Sequence, residues 1–320
     1  MTSRLVAAPR RVVLRSRRAL REAGSGVARA LHPPPPPAPV ETPIPPAEVK
    51  LRERLVWQGA RLDPAPPSGI WRPWANAALR TRAESRAARA AVVEAGLHPH
   101  DDDPKNWDSL LALGLILERS PTTARVLDAG STQYSRLLPW LYLYGYRKLH
   151  GVDLTYEGPL EVGPIRYERM DLTATTFEAA SFDAIACLSV IEHGVPVEAY
   201  LREASRLLRP GGLLITSTDF WCDPIETAGR EAYGVAAKIF SPAEIEGCVA
   251  SAARQGLRLT SRLDLRCEER VVHWERLALD FTFATFLLER TGPWPWSRLL
   301  RDVRRSVDQR SRASRSTRAT

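Results

Sequence analysis

Five short apolar stretches, spaced by helix-compatible segments, constrain this chain more than any other feature. The strand candidates are Ala124–Asp128, Lys148–Asp153, Ile165–Asp171, Phe182–Ser189 and Gly212–Thr218. Helical patterns fall at about Tyr134–Tyr144, Val195–Leu208 and Ser241–Gln255. The last opens on a full start signal: Ser241 and Glu244 as a capping box, Pro242 in the first turn, and Phe240 with Ile245 as a hydrophobic staple. Two further strand candidates follow, Leu257–Leu265 and Ala278–Leu288. In the second, Phe281 and Phe283 alternate with Thr282 and Ala284, the period of a strand. Strands separated by helices pair in parallel through right-handed crossovers. The expectation is an α/β, doubly wound, seven-stranded sheet, parallel except for an antiparallel edge hairpin made by the final pair.

The flanks divide the chain further. Residues 1–50 read as a basic, then proline-rich tail and linker, with nine prolines in residues 31–50; prolines lack the donor that packed elements need. Residues 51–100 read as a helical lead-in, with a helix over 75–95 and Trp57, Trp71 and Trp74 as apolar packing area. Residues 101–290 form the main domain, opening on a helix with Asp103 as N-cap and Pro104 as its first residue. Residues 291–320 are a basic tail. The two ends, 1–30 and 301–320, together carry +12, so residues 31–300 are net −4 although the chain is +8. A basic surface on the body is therefore not the basis of function, which argues against DNA as a partner. Cys187, Cys222, Cys248 and Cys267 are too widely spaced for a CxxC pair, so no cysteine-based metal site and no disulfide scaffold is expected. A reduced, cytoplasmic protein is expected. No run of about 18 apolar residues exists.

The segment Arg125-Val-Leu-Asp-Ala-Gly-Ser-Thr-Gln-Tyr134 ends a buried strand in Asp128 and turns through Gly130 into a helix. A nucleotide-like ligand can meet backbone N–H groups at such a point. A dinucleotide site would want GxGxxG; the positions here hold Gly130, Thr132 and Ser135, so a diphosphate cradle is not supported. A carboxylate before the first glycine suits a cationic ligand.

Read with its followers, the segment resembles the class I S-adenosylmethionine-dependent methyltransferases, over roughly residues 101–290. Val126–Gly130 is similar to the family's first motif. Gly151-Val-Asp153 matches its second strand end, and Asp153 stands 23 residues after Gly130, near the spacing of a ribose-binding acid. Met170-Asp171-Leu172, Ser181–His193 and Leu207–Ile215 match the later motifs in order. The resemblance implies a Rossmann-like fold and S-adenosyl-L-methionine as cofactor, with S-adenosyl-L-homocysteine as product. It implies Asp128, Gly130, Asp153, Asp171, Leu172, Ser189 and Glu192 as cofactor-binding residues, with Asp153 on the ribose hydroxyls and Asp171 near the adenine amino group. The expected reaction is O-methylation of a hydroxyl on a sugar, glycan or small metabolite, with no metal required. Pro104–Asp108, Leu138–Gly145 and Ser217–Trp221 resemble bacterial methyltransferases of polysaccharide and glycoside gene sets.

Two residues are expected to do chemistry. His193 follows the fourth strand and titrates near neutrality, as a base for a hydroxyl must. Asp219 follows the fifth strand and faces the same crevice. His98 and His100 beside Asp101–Asp103 read as a solvated helix start. Thr132 and Tyr134 replace two family glycines and narrow the space beside the methionine part of the cofactor. The competing class is accordingly a non-catalytic methyltransferase-fold binding or regulatory protein. Trp294, Trp296, Leu299, Leu300, Val303 and Val307 among arginines form a basic interfacial helix candidate. It leads to an expectation of peripheral association with anionic membrane at the inner membrane face.

Overall fold

A computed structural model describes residues 44–232 and 234–292. The expectations for the arginine- and proline-rich segment before residue 44 and for the basic tail after residue 292 lie outside the described residues. The helices are α1 (Pro46–Trp57), α2 (Arg82–Glu94), α3 (Lys105–Arg119), α4 (Leu137–Leu143), α5 (Val197–Leu207) and α6 (Pro242–Arg254). The strands are β1 (Arg125–Ala129), β2 (Lys148–Asp153), β3 (Leu160–Val162), β4 (Ile165–Arg169), β5 (Phe182–Leu188), β6 (Leu208–Phe220), β7 (Glu231–Ala232), β8 (Val235–Ala236), β9 (Leu257–Leu259), β10 (Val272–Trp274) and β11 (Leu279–Arg290).

The main sheet has nine strands in the order β10-β11-β6-β5-β1-β2-β4-β3, with β9 also paired to β11. The pairs β4–β2, β2–β1, β1–β5 and β5–β6 are parallel. β11 runs antiparallel to β6 over eight residue pairs, from Thr282 opposite Phe220 to Glu289 opposite Leu213. All seven expected strands are present, as β1, β2, β4, β5, β6, β9 and β11. Two short strands add to them: β3 pairs antiparallel with β4, and β10 with β11. The final pair is antiparallel as expected, but β10 lies between β9 and β11 in sequence, and the two meet only at Leu288–Arg290. The inner strands are buried on both faces, as parallel strands covered by helices must be. α6 starts as the sequence indicates, with the Ser241–Glu244 capping box formed and Phe240 and Ile245 both buried.

The lead-in departs from expectation. The helix begins only at Arg82, because Thr81 accepts a hydrogen bond from the Glu84 amide and caps it there. Residues 77–79 are extended instead and lie along β11. Ala78 bridges to Ala284 and Ala77 to Asp264, and the Leu79 amide donates to the Phe283 carbonyl at 2.8 Å. Asn76 fixes this seam. It is fully buried at a φ of +58°, donates to Thr260 Oγ1 and Ser261 Oγ, and accepts from the Leu287 amide. Asparagine tolerates that backbone region better than most residues. Trp71 and Trp74 are buried, whereas Trp57 is 85% exposed, so only two of the three tryptophans supply core. Trp71 lies so close to α3 that a Cβ on Gly114 would come within 2.2 Å of its indole. α3 is in consequence buried from Asn106 to Ile116, held between the sheet and the lead-in. It starts one residue later than expected, with Pro104 as its N-cap.

Candidate functional site

The parallel strands β1, β2, β4, β5 and β6 all end on one side, where an open α/β sheet forms its ligand crevice. Asp128, Asp153, Asp171, Ser189, Glu192, His193 and Asp219 sit at or just beyond these ends.

The turn after β1 is tightly constrained. Gly130 has a φ of +81°, and a Cβ there would meet both γ-carbons of Val190 at 2.5 Å. The amides of Gly130 and Ser131 both donate to the Val152 carbonyl, at 2.7 and 3.0 Å. This pins the turn across the end of β2. Asp128 is buried, and its Oδ2 accepts the Ser135 hydroxyl at 2.7 Å. Burial pushes its carboxyl up to about 6, against the hydrogen bonds of Ser135 and Ser131, while nearby Asp108 pushes it further up. The turn-crossing partner of Asp128 is thus a hydroxyl. Tyr134 is half exposed and sets its ring edge-on to His100, with centroids 4.2 Å apart. The His100 ring itself is buried, accepts from the Asp102 amide, and is pushed down to about 4 chiefly by burial.

Asp153 and Asp171 share one local geometry, because both begin an Asp-Leu-Thr triplet. In each, Oδ1 accepts the amide and the hydroxyl of the threonine two residues on, at 2.6–2.8 Å. Such Asx turns hold the carboxylate at a fixed angle. The second oxygen of each accepts nothing from a described residue, so each keeps an open acceptor at the strand end. Leu154 beside Asp153 is 60% exposed, and Leu172 beside Asp171 is half-buried. They give this part of the crevice an apolar lining.

Beyond β5, Ser189 has a φ of +52°, a strained value for a residue with a side chain. Its amide is held by both the carbonyl and the hydroxyl of Ser217, at 3.1 and 3.0 Å. Its own hydroxyl is buried without a hydrogen-bond partner among the described residues. Strain and an orphaned hydroxyl at one residue are features found at ligand sites.

Two acids form a pair next to it. Glu192 is buried; its Oε2 accepts from Thr218 Oγ1 at 3.0 Å, and its Oε1 finds no donor group among the hydrogen bonds of the fold. Asp219 lies against it, and burial followed by the Glu192 charge lifts its carboxyl well above the carboxylate range. Two buried carboxyls side by side disfavour a second charge, which is the cause of the upward shift at Asp219 beyond burial itself. Asp219 was expected in the loop after the strand. It is instead the penultimate residue of β6, because residues 219–221 pair with Phe240 where the chain returns. His193 is half-buried, its ring 6.1 Å from that of Trp274. Burial lowers its pKa, opposed by Glu192 and reinforced by Lys105, so the ring is neutral near pH 7.

α3 supplies two groups that motif reading missed. Asp108 is fully buried and accepts from Ser217 Oγ at 2.6 Å; burial raises its carboxyl. Lys105 sets its ammonium 4.7 Å from the Phe283 ring centroid, and its charge acts on His193, Asp108 and Asp219. The available signal was a pair of opposite charges, Lys105 and Asp108, one helical turn apart just ahead of the apolar run at residues 110–117.

Residues 127–216 match the family model described as a methyltransferase domain. A ubiquinone biosynthesis O-methyltransferase of Methylocella silvestris is 39% identical over 54 residues, 17% of this chain and 21% of that protein. Its counterpart in Xanthomonas oryzae pv. oryzae is 35% identical over 71 residues, 22% of this chain and 27% of that protein. The chain therefore spans about a quarter of the length of the curated relatives it matches. A solved 1,6-didemethyltoxoflavin-N1-methyltransferase of Burkholderia thailandensis, holding 1,6-didemethyltoxoflavin and S-adenosylhomocysteine, is 19% identical with a TM-score of 0.43, covering 66% of this chain and 87% of that one. The matched segment runs from β1 into β6, and the part of this chain that builds the carboxyl edge of the sheet accordingly matches a methyltransferase domain.

Proposed function

We propose that the chain is an S-adenosylmethionine-dependent methyltransferase acting on a hydroxyl of a sugar, glycan or small metabolite. The observation that carries this reading is the methyltransferase-domain match over the strands whose ends carry Asp128, Asp153 and Asp171. The residues present fit the cofactor. Asp153 and Asp171 each keep an open carboxylate oxygen, Gly130 brings the backbone close, and the Ser189 hydroxyl lacks a partner. Asp153 would take the ribose hydroxyls, Asp171 and Leu172 the adenine side, and Asp128, Gly130, Ser189 and Glu192 the methionine side. When bound, the cofactor supplies a methyl group on a sulfonium whose leaving group is a neutral thioether.

The chain's own residues supply alignment and a proton acceptor. His193 is neutral near pH 7 and takes the hydroxyl proton; a base of this kind is worth about 10²–10⁴-fold in rate. Asp219, its carboxyl raised by burial and by the Glu192 charge, lines the same side of the crevice. With Glu192 it fixes a polar wall beside His193. Oxygen as the accepting atom is supported by the curated relatives' names as O-methyltransferases. A glycan acceptor is supported by two segments similar to polysaccharide-cluster enzymes, 104–108 and 217–221, meeting through the Asp108–Ser217 hydrogen bond.

Calorimetric titration with S-adenosylmethionine and S-adenosylhomocysteine, followed by mass spectrometry of sugar and phenolic acceptors, tests the reading. Saturable binding of both, lost in Asp153→Ala, and methyl transfer reduced about 10²-fold or more in His193→Gln are expected. Absence of binding by folded protein overturns it. Activity should fall as pH drops through a midpoint below the usual imidazole range, because burial lowers His193.

We also propose peripheral association with anionic membrane. Its support is the exposed apolar hollow on and beside α1, lined by Ile44, Val49, Val56, Trp57 and Leu62, together with the eight arginines in residues 1–30 that precede it in sequence beyond the proline-rich residues 31–43.

A further inference from the structure

The opposite edge of the sheet carries a basic hollow. The amino ends of β1, β2 and β4 surround a hollow of about 330 Å³. Its wall contains Arg125, Arg147, Lys148, Arg166 and His150, against a single acid, Glu161. The parallel register produces this grouping: Arg125 stands opposite Lys148, and His150 opposite Arg166. β1 separates the basin from Asp128 and the cofactor crevice by about 10 Å or more of strand.

Two of the four cations are already compensated, Arg147 by Glu48 at 3.6 Å and Arg166 by Glu168 at 3.2 Å. Arg125 and Lys148 have no carboxylate at ion-pair distance among the described residues. Arg125 is instead stacked, its guanidinium carbon 4.4 Å from the Phe182 ring centroid. Its Nε donates to His150 Nε2 at 3.2 Å. A guanidinium can only donate, so Nε2 of His150 must accept, and the neutral ring must carry its proton on Nδ1. That Nδ1 is buried and has no hydrogen-bond partner among the described residues, so it does not open onto the hollow. Two cations without an ion-pair partner among the described residues and two further guanidiniums thus converge on one concavity of ligand size.

We propose that this basin binds a phosphate- or diphosphate-bearing ligand, whose oxygens lie against Arg125 and Lys148. Guanidinium and ammonium groups together suit the dispersed charge of phosphate oxygens. The site stands apart from the crevice, and its existence does not depend on the methyl-transfer reading.

Calorimetric titration of the full chain with inorganic pyrophosphate at low ionic strength tests the proposal. The unsubstituted protein should bind one equivalent saturably, and Lys148→Glu/Arg166→Glu should bind at least ~10-fold more weakly, about 1.4 kcal/mol or more. The thermal midpoint of the double variant, set beside that of the parent chain, establishes that it is folded. Competition by a nucleoside diphosphate assigns a soluble ligand, and competition by monomeric short-chain phosphatidic acid assigns a lipid headgroup; either supports the site. No saturable binding, or equal binding by the folded double variant, overturns it.

Discussion

Asp128 carries a conflict between stability and use. Its carboxyl lies at about 6 in the fold, raised by burial from an ordinary value of 3.8. Between those values the folded chain keeps a proton that the unfolded chain releases. Stability contributed by this group therefore falls as pH rises through that window. Asp128→Asn removes the titration and keeps an acceptor for Ser135. Near neutral pH its unfolding free energy should exceed that of the parent by about 1–3 kcal/mol, with the difference vanishing below pH ~4, while cofactor affinity is lost. Thermal unfolding across that pH range checks it; equal midpoints throughout would show a solvated carboxyl. Gly130 is constrained in two separate ways, by its positive φ and by Val190. Gly130→Ala should weaken S-adenosylhomocysteine binding more than ~10-fold. Adding Val190→Ala relieves the contact but not the backbone strain of about 1–2 kcal/mol, so recovery should be partial by calorimetry. The role of glycine at 130 was legible from Asp128-Ala-Gly130. The orphaned hydroxyl of Ser189 was not, because it depends on how Ser217 from another strand takes the Ser189 amide.

The seam between the lead-in and β11 shows where sequence patterns lose their grip on elements. Residues 75–81 have alanine-rich helical composition, yet Asn76 turns the chain into an extended strip at 77–79. What decides it is the Leu287 amide and two hydroxyls over 180 residues away, partners that no local window contains. The seven principal strands, by contrast, announce themselves through apolar runs, and α6 through its capping box. Asp108 was hidden for the same reason as Asn76, since its partner Ser217 belongs to β6. Asn76→Ala should lower stability by about 2–4 kcal/mol, through orphaned partners and a disfavoured φ. Asn76→Gly keeps the backbone freedom and loses the hydrogen bonds, so it should fall between the two. Urea midpoints measure both, and an unchanged midpoint for the alanine variant would mean that the seam contributes nothing.

At the scale of the whole molecule, the described surface divides into a crevice at the carboxyl edge, a basic hollow at the amino edge, and the apolar face of α1. No helix among the described residues is long and apolar enough to cross a membrane. Trp57→Ser/Val56→Ser should reduce sedimentation with anionic vesicles several-fold and leave binding to zwitterionic vesicles unchanged; equal sedimentation with the parent would remove α1 from any such contact. The placement of β11 has a further consequence for biosynthesis. It fills the slot between β6 and the β9/β10 edge, although it follows all of them in the chain. During translation, β6 emerges with one side unpaired and stays so until some 70 further residues have left the ribosome, a matter of roughly 4–14 seconds at ordinary elongation rates. Over that interval a 13-residue strand presents an open hydrogen-bonding edge, and residues 77–79, made long before, have no strand to dock on. A nascent chain of this protein therefore exposes an open strand edge until β11 emerges, and holdases would meet it there.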